Sequence, residues 1–510
     1  MLLHSGTIRT LEPSLPQTSA LAIAADRIAG GVGTHETALP GPERVDLGGR
    51  CVLPGLNDAH VHFPTWAVAR REVRLEGVAS VNEAVARVRD GLDAVQPGGW
   101  LRGRGWRDAE WAARPTKEAL DEVTGEIPVA LLAQDSHSLW LNSAALSSAA
   151  ELEVDGGVVE RDARGEATGV LREEACWRFR DRHIHIPDEE YLDAMREGLS
   201  VAAARGVTAV HDKDGWIGAL RLWQSLDAAD ALTLRVWQSL PADHVDELES
   251  LKMRGGLGSN LLRVGYLKAF MDGTLGSQTA RMLDGSGVEI TSREELVSIV
   301  RRAAYGGWPV AVHAIGDLAN REALDAFEET REIWQTMGLR QRIEHAQLLA
   351  PEDVGRFAEL GVAASVQFSH ATSDRDLADR FWAGKTDGAY AYRSLWDSGT
   401  LVANGSDAPI EELDPWAGVV AGVLRTLDDR PPWHPEQALG VEEAVVATCV
   451  NPPWLAYDER RRGKLVPGYL ADLVVLDRDP LTIPPEELPE VQVVATMLGG
   501  RWVHNPPPWD

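Results

Sequence analysis

Two histidines one residue apart, His60 and His62, lie in the segment LPGLNDAHVHF. On an extended backbone residues i and i+2 point the same way, so both imidazoles can reach one metal ion. Further along, Lys268 lies in RVGYLKAF, His313 in PVAVHAIGD, His345 in RIEHAQ and Asp407 in NGSDAP. A lone histidine at the end of a strand is more often a hydrogen-bonded core residue than a ligand. Five nitrogen or oxygen ligands and a lysine, all at one phase of a repeating pattern, are hard to attribute to packing. The chemistry they suit is the binding of a divalent cation. The three cysteines, Cys51, Cys176 and Cys449, are far apart with no CxxC spacing, so neither a thiolate zinc site nor a disulfide framework is indicated.

The elements that must carry these residues are short apolar runs. Eight recur: CVLPGLNDAH (51–60), VTAVHD (207–212), LTLRVWQSL (232–240), LLRVGYLKAF (261–270), PVAVHAIGD (309–317), RIEHAQLL (342–349), VAASVQFS (362–369) and LVANGSDAP (401–409). Near-continuous apolar runs ending in polar residues are the mark of parallel strands buried on both faces. Helical periods fill several gaps, as in REELVSIVRRAAY (293–305) and PEDVGRFAELG (351–361). Alternation of this kind predicts an α/β fold, a (β/α)₈ TIM barrel, whose active sites form at the C-terminal ends of the strands. All six residues fall at such ends. The stretch after the first strand is too long for one crossover, so residues 66–190, rich in tryptophan, are expected to be an insertion near the barrel mouth. Both termini read as short, turn-punctuated β pieces, and residues 1–50 with 456–510 are expected to form a composite β-sandwich-like domain. Residues 51–65 and 191–455 are left for the barrel.

Composition removes several classes of function. The chain has 510 residues, of which 44% are hydrophobic, enough for a large core. Its 50 Lys and Arg against 78 Asp and Glu leave a net charge of −28, which repels phosphate backbones and anionic lipid. Neither nucleic acid nor a membrane is an expected partner. No signal peptide and no membrane span are evident, so a soluble cytoplasmic protein acting on a small molecule is expected, with a homodimer left open as the assembly.

LPGLNDAHVH resembles the opening signature of the metal-dependent amidohydrolase superfamily. KAFMDGTLGSQTA, HAIGD, RIEHAQ and GSDAP resemble its YtcJ-like branch, which includes the N-substituted formamide deformylases. The likeness runs over nearly the whole chain. It implies a binuclear centre: His60, His62 and Asp407 on the first metal, His313 and His345 on the second, and Lys268 bridging both as a carbamate. Zn²⁺ suits a histidine and oxygen donor set best, with Mn²⁺, Fe²⁺ and Co²⁺ left open. The implied reaction is cleavage of a C–N bond, amide or N-formyl, by metal-activated hydroxide, with Asp407 moving the proton. Three rivals share the fold: a mononuclear metal-dependent deaminase, a lyase using Lys268 as a Schiff base, and a non-catalytic binding or scaffold barrel, against which the occupied ligand positions argue.

The same resemblance singles out residues that would meet substrate. Asp135, His137 and Asn142 lie in a segment similar to one that faces substrate in the family, and Glu173 matches a recurring acid. Asp272 would shape the pocket wall, and Gln278 stands where the branch commonly carries Arg. Read from its place at a strand end, His211 could line the pocket or be a satisfied core histidine. His370 and Asp374, after the seventh strand, sit at the right end of the barrel to touch substrate, but nothing further in the sequence marks them.

Overall fold

The computed structural model describes residues 1–29, 43–95, 98–108, 111–134, 136–149, 151–154 and 156–509. The chain divides into two compact units, Met1–Phe63 with Arg196–Asp510, and Pro64–Met195. The larger unit holds a TIM barrel of eight parallel strands: β1 (Leu56–Val61), β2 (Val207–Asp212), β3 (Arg235–Pro241), β4 (Leu262–Phe270), β5 (Val310–Ala314), β6 (Arg342–His345), β7 (Ala363–Val366) and β8 (Val402–Asn404). Each pairs with the next in chain order. The ring closes just past β8, where the Asp407 N–H donates to the His60 carbonyl at 2.7 Å and the His62 N–H donates to the Ala408 carbonyl at 2.8 Å. Strands such as Val310–Ala314 are buried throughout, which is why their sequences run apolar without alternation.

Helices close the repeats with ordinary end signals. Arg293–Tyr305 begins after Ser292, whose side chain accepts the Glu295 N–H. Pro351–Leu360 starts on a proline and stops at Gly361, which takes a φ of 74°.

The ends of the chain meet in one eight-stranded sheet. Its order is Arg501–His504, Val493–Leu498, Leu473–Leu476, Cys51–Pro54, Leu2–Arg9, Gln17–Ala24 and Arg27–Ile28, with Arg44–Asp46 also paired to Leu2–Arg9. Leu3, Ile8, Leu21, Ile23, Leu473, Val475 and Met497 form its core. The boundary expected at residue 51 falls a few residues later, because Cys51–Pro54 pairs in this sheet and only Leu56–Val61 enters the barrel. Gly55 makes the change of sheet, and a Cβ there would stand 2.2 Å from the Thr208 hydroxyl oxygen. A buried bidentate pair adds a tie from β3: Arg235 Nε and Nη2 donate to the two carboxylate oxygens of Asp472 at 2.7 and 2.8 Å.

The smaller unit has its own six-stranded sheet, ordered Gly157–Arg161, Ala167–Glu173, Ser138–Leu141, Val129–Ala133, Leu101–Trp106 and Val73–Arg74. Trp140 meets Trp106 and Trp111 edge to face at its centre, and the latter two are tilted against each other, with ring centroids 6.1–6.2 Å apart. Three of the tryptophans in this stretch thus serve a local core. Among the described residues no helix is long and apolar enough to cross a membrane.

Candidate metal centre

The barrel brings the six expected residues to its C-terminal end. His60 and His62 lie at and just past the end of β1; Lys268 is two residues before the end of β4; His313 is next to last in β5; His345 ends β6; Asp407 follows β8. Asp407 Oδ1 lies 3.3 Å from His60 Nε2 and 3.6 Å from His62 Nε2, while its Oδ2 lies 4.0 Å from His345 Nδ1. The His345 ring centroid is 4.7 Å from that of His60 and 4.5 Å from that of His313. Ligand atoms of His60, His345 and Asp407 all fall within 4.8 Å of one another. His345 and Asp407 adopt φ values of 74° and 56°, outside the ordinary range for side-chain-bearing residues. Strain of this kind collects where a fold must aim a side chain away from the regular pleat.

Each imidazole is fixed by a partner behind it. His60 Nδ1 donates to Glu344 Oε2 at 2.8 Å, and His62 Nδ1 donates to Asp214 Oδ1 at 2.7 Å. His345 Nδ1 donates to Gln367 Oε1 at 2.8 Å, and His313 Nε2 donates to the Gly273 carbonyl at 3.0 Å. In every case the partner accepts, so the ring nitrogen it faces carries the proton, and in the neutral ring the other keeps a lone pair. That is how proteins prepare histidines as metal ligands. Burial pushes the His60 imidazole down to about 3, and also lowers His345 well below the usual value, so both rings are neutral at pH 7.

Lys268 is 1% exposed, and its Nζ has no hydrogen-bond partner. It sits 4.5 Å from the centre of the Phe270 ring, and burial lowers its amine to about 8. Nε2 of His60 is likewise buried without a partner. Buried polar atoms left this way are rare in folded proteins, and at a cluster of ligands they point to an ion that the side chains were placed to hold. The donor set, imidazole nitrogen and carboxylate oxygen with no thiolate, fits Zn²⁺.

Beneath the cluster lies a group of buried charges that motif reading missed. Glu344 Oε1 forms ion pairs with Arg342 Nε at 2.8 Å and Lys213 Nζ at 3.3 Å, and all three side chains are fully buried. Burial alone would raise the Glu344 carboxyl; Arg342 and the His60 contact instead hold it below the usual carboxylate range. The signal was present, since a strand reading RIEH places two charges where its neighbours are apolar. Asp214, Gln367 and Gln347 left no comparable mark.

The remaining candidates separate. His211 points into the barrel interior, fully buried, with Nδ1 3.1 Å from Arg342 Nη1, so it belongs to that charged layer. The Asp272 carboxylate accepts the N–H groups of Ile315, Gly316 and Arg281 at 2.8–3.0 Å, which pins the loops on either side of His313. Asn142 is spent structurally: Oδ1 accepts from Val129 and Ala145, and Nδ2 donates to Thr124 and Ile127. In the smaller unit His137 Nδ1 meets Glu173 Oε2 at 2.8 Å, with the Trp177 ring 4.8 Å from the imidazole. Asp135 lies outside the described residues. Gln278 takes a φ of 59° in the loop after β4, its N–H donating to the Leu275 carbonyl at 3.0 Å.

Among curated proteins the chain is 30% identical to LONG AFTER FAR-RED 3 of Arabidopsis thaliana, over 99% of this chain and 91% of that protein. It is 29% identical to YtcJ of Bacillus subtilis (strain 168), an amidohydrolase by name, over 98% and 99%. It is 28% identical to the N-substituted formamide deformylase of Arthrobacter pascens, over 98% and 97%. Among solved structures, an uncharacterised metal-dependent hydrolase from Pyrococcus horikoshii superimposes with a TM-score of 0.80 at 28% identity, covering 95% of this chain and 99% of that one. Such neighbours imply that the protein uses metal. The sequence profile of the amidohydrolase family matches residues 43–504, and the chain belongs to that family.

Proposed function

We propose that the protein hydrolyses a C–N bond of a small molecule, an amide or N-formyl or other N-acyl group, at a binuclear zinc centre. His60, His62 and Asp407 would hold one ion, His313 and His345 the other, and Lys268, carboxylated by CO₂, would bridge them. The observation that carries this is the Lys268 amine, buried without a partner among neutral imidazoles. An ammonium between two divalent cations would be strongly disfavoured, whereas a lysine carbamate is an anionic oxygen donor. The lowered amine favours the neutral form that adds to CO₂. Bound cations would supply Lewis acidity, bringing the pKa of water to about 7 and polarising the scissile carbonyl. Asp407 supplies the base. Its Oδ1 faces His60 and His62, which leaves Oδ2 to take the proton from water and return it to the departing amine nitrogen.

The partners behind the imidazoles carry a prediction. Glu344→Gln keeps the shape but removes the negative charge that receives the His60 hydrogen bond and pairs with Arg342 and Lys213. Zinc affinity should fall about 10–100-fold, read by competition with a chromophoric chelator. Unchanged affinity would remove Glu344 from the design of the centre.

The deciding experiment is a screen of N-formyl, N-acyl and lactam compounds with zinc-loaded protein, beside a chelator-treated control and a measurement of metal content. Turnover that chelation abolishes, with about two zinc ions per chain, supports the proposal. Activity only on amidine-like carbons with one ion per chain would favour a mononuclear deaminase. Activity that survives chelation would sink both.

A further inference from the structure

His370 opens the short helix His370–Ser373 just beyond β7 and is 3% exposed. Its ring lies parallel to that of His345, 9° between planes and 6.3 Å between centroids. Nε2 points at the candidate centre, 3.9 Å from Asp407 Oδ2, and is buried with no hydrogen-bond partner. On the far side of the ring the Gln347 side-chain amide nitrogen stands 3.1 Å from Nδ1. An amide N–H can only donate, so Nδ1 accepts and the proton of a neutral ring is on Nε2. Gln347 is itself tethered: its backbone carbonyl accepts the Tyr390 N–H at 2.6 Å, and the Tyr390 hydroxyl lies 3.3 Å from Gln347 Oε1 and 2.9 Å from Asp374 Oδ2.

We infer that the Nε2–H of His370 is a hydrogen-bond donor to the reacting oxygen of the substrate, the acyl oxygen that gathers negative charge as water adds to the carbon. The inference deepens the hydrolase proposal and rests on it. A nitrogen that keeps its proton is not a metal ligand, so His370 stands outside the ligand set although it shares the cluster. The His345 Nδ1–H, the other ring nitrogen near Asp407 Oδ2, is already given to Gln367. Among the described residues, His370 is therefore the histidine with an unspent N–H on the side of Asp407 where the proton moves. A buried N–H without an acceptor is costly, and an oxygen arriving beside Oδ2 removes that cost. A donor placed for the charge of the transition state does more for rate than for ground-state binding. The substrate class this fits is an acyl compound whose carbon becomes tetrahedral.

The test uses methylphosphonate, a tetrahedral oxyanion, titrated calorimetrically into zinc-loaded protein. His370→Phe keeps a ring against His345 and removes the donor; His370→Gln places an amide N–H near the position of Nε2. Methylphosphonate should bind about 10–100-fold more weakly to His370→Phe and within a few-fold of the native protein to His370→Gln. Zinc content should be equal in all three. Equal affinity in His370→Phe, a loss of zinc in that variant, or no binding to the native protein would each overturn the inference. If no amide is turned over yet methylphosphonate binding still depends on His370, the C–N reading falls and the donor stands.

Discussion

Asp407→Asn is expected to lower kcat by about 10²–10⁴-fold while zinc content changes little. Asparagine keeps the size of the side chain and one oxygen donor for the ion proposed to be held with His60 and His62, whose Nε2 atoms lie 3.3 and 3.6 Å from Oδ1 in the native protein. It cannot take a proton. Backbone strain does not confuse the comparison, because the φ of 56° at Asp407 is one that asparagine tolerates better than most residues. Burial raises the Asp407 carboxyl above its ordinary value, with His62 pulling the other way, and a base with higher proton affinity is better matched to water near neutral pH. The measurement is turnover of whichever amide the native protein cleaves, with zinc content and melting temperature as controls. A variant that folds, holds zinc and turns over within a few-fold of the native rate would refute the role of Asp407 as the base.

The sequence made some of this legible and hid the rest for physical reasons. Strand ends were readable because a buried parallel strand is apolar until it reaches the end where side chains meet solvent or substrate, so His313 in PVAVHAIGD stands out against its neighbours. The change of sheet at Gly55 was not readable, since 51–60 looks like one apolar run and only the approach of Thr208 shows why glycine interrupts it. Asn142 and Asp272 illustrate a different limit. A loop amide or acid can serve a ligand or a backbone, and here the surrounding N–H groups decide for the backbone. His370 shows the converse, a residue with no motif around it that acquires meaning from Asp407 and Gln347, both distant in the chain. Tautomers are set by tertiary contacts such as Asp214 with His62, so the preparation of the ligands is a property of the fold more than of the motif.

Lys268→Ala is expected to cost at least about 10³-fold in turnover and to reduce bound zinc below that of the native protein. The magnitude follows from the chemistry the proposed bridge would maintain: a well-placed Lewis acid is worth several kcal/mol of transition-state stabilisation, and about 4 kcal/mol is a factor of about 10³. The native amine is sealed from solvent, without a hydrogen-bond partner and beside Phe270, and burial lowers its proton affinity. Lys268→Arg should fail as completely, because a guanidinium stays protonated and cannot become a carbamate. Alanine, unlike arginine, opens a space that a short carboxylate can enter, so acetate or propionate should restore part of the activity to Lys268→Ala and none to Lys268→Arg. Loading the native protein with zinc in the presence of ¹³C-labelled CO₂ should give a carbamate carbon resonance that is missing from both variants. A native protein without that resonance would reject the carbamate. If Lys268→Ala kept its zinc and lost only the ability to be trapped by borohydride with a carbonyl ligand, the lysine would be a Schiff-base nucleophile, and the bridging role would have to be abandoned.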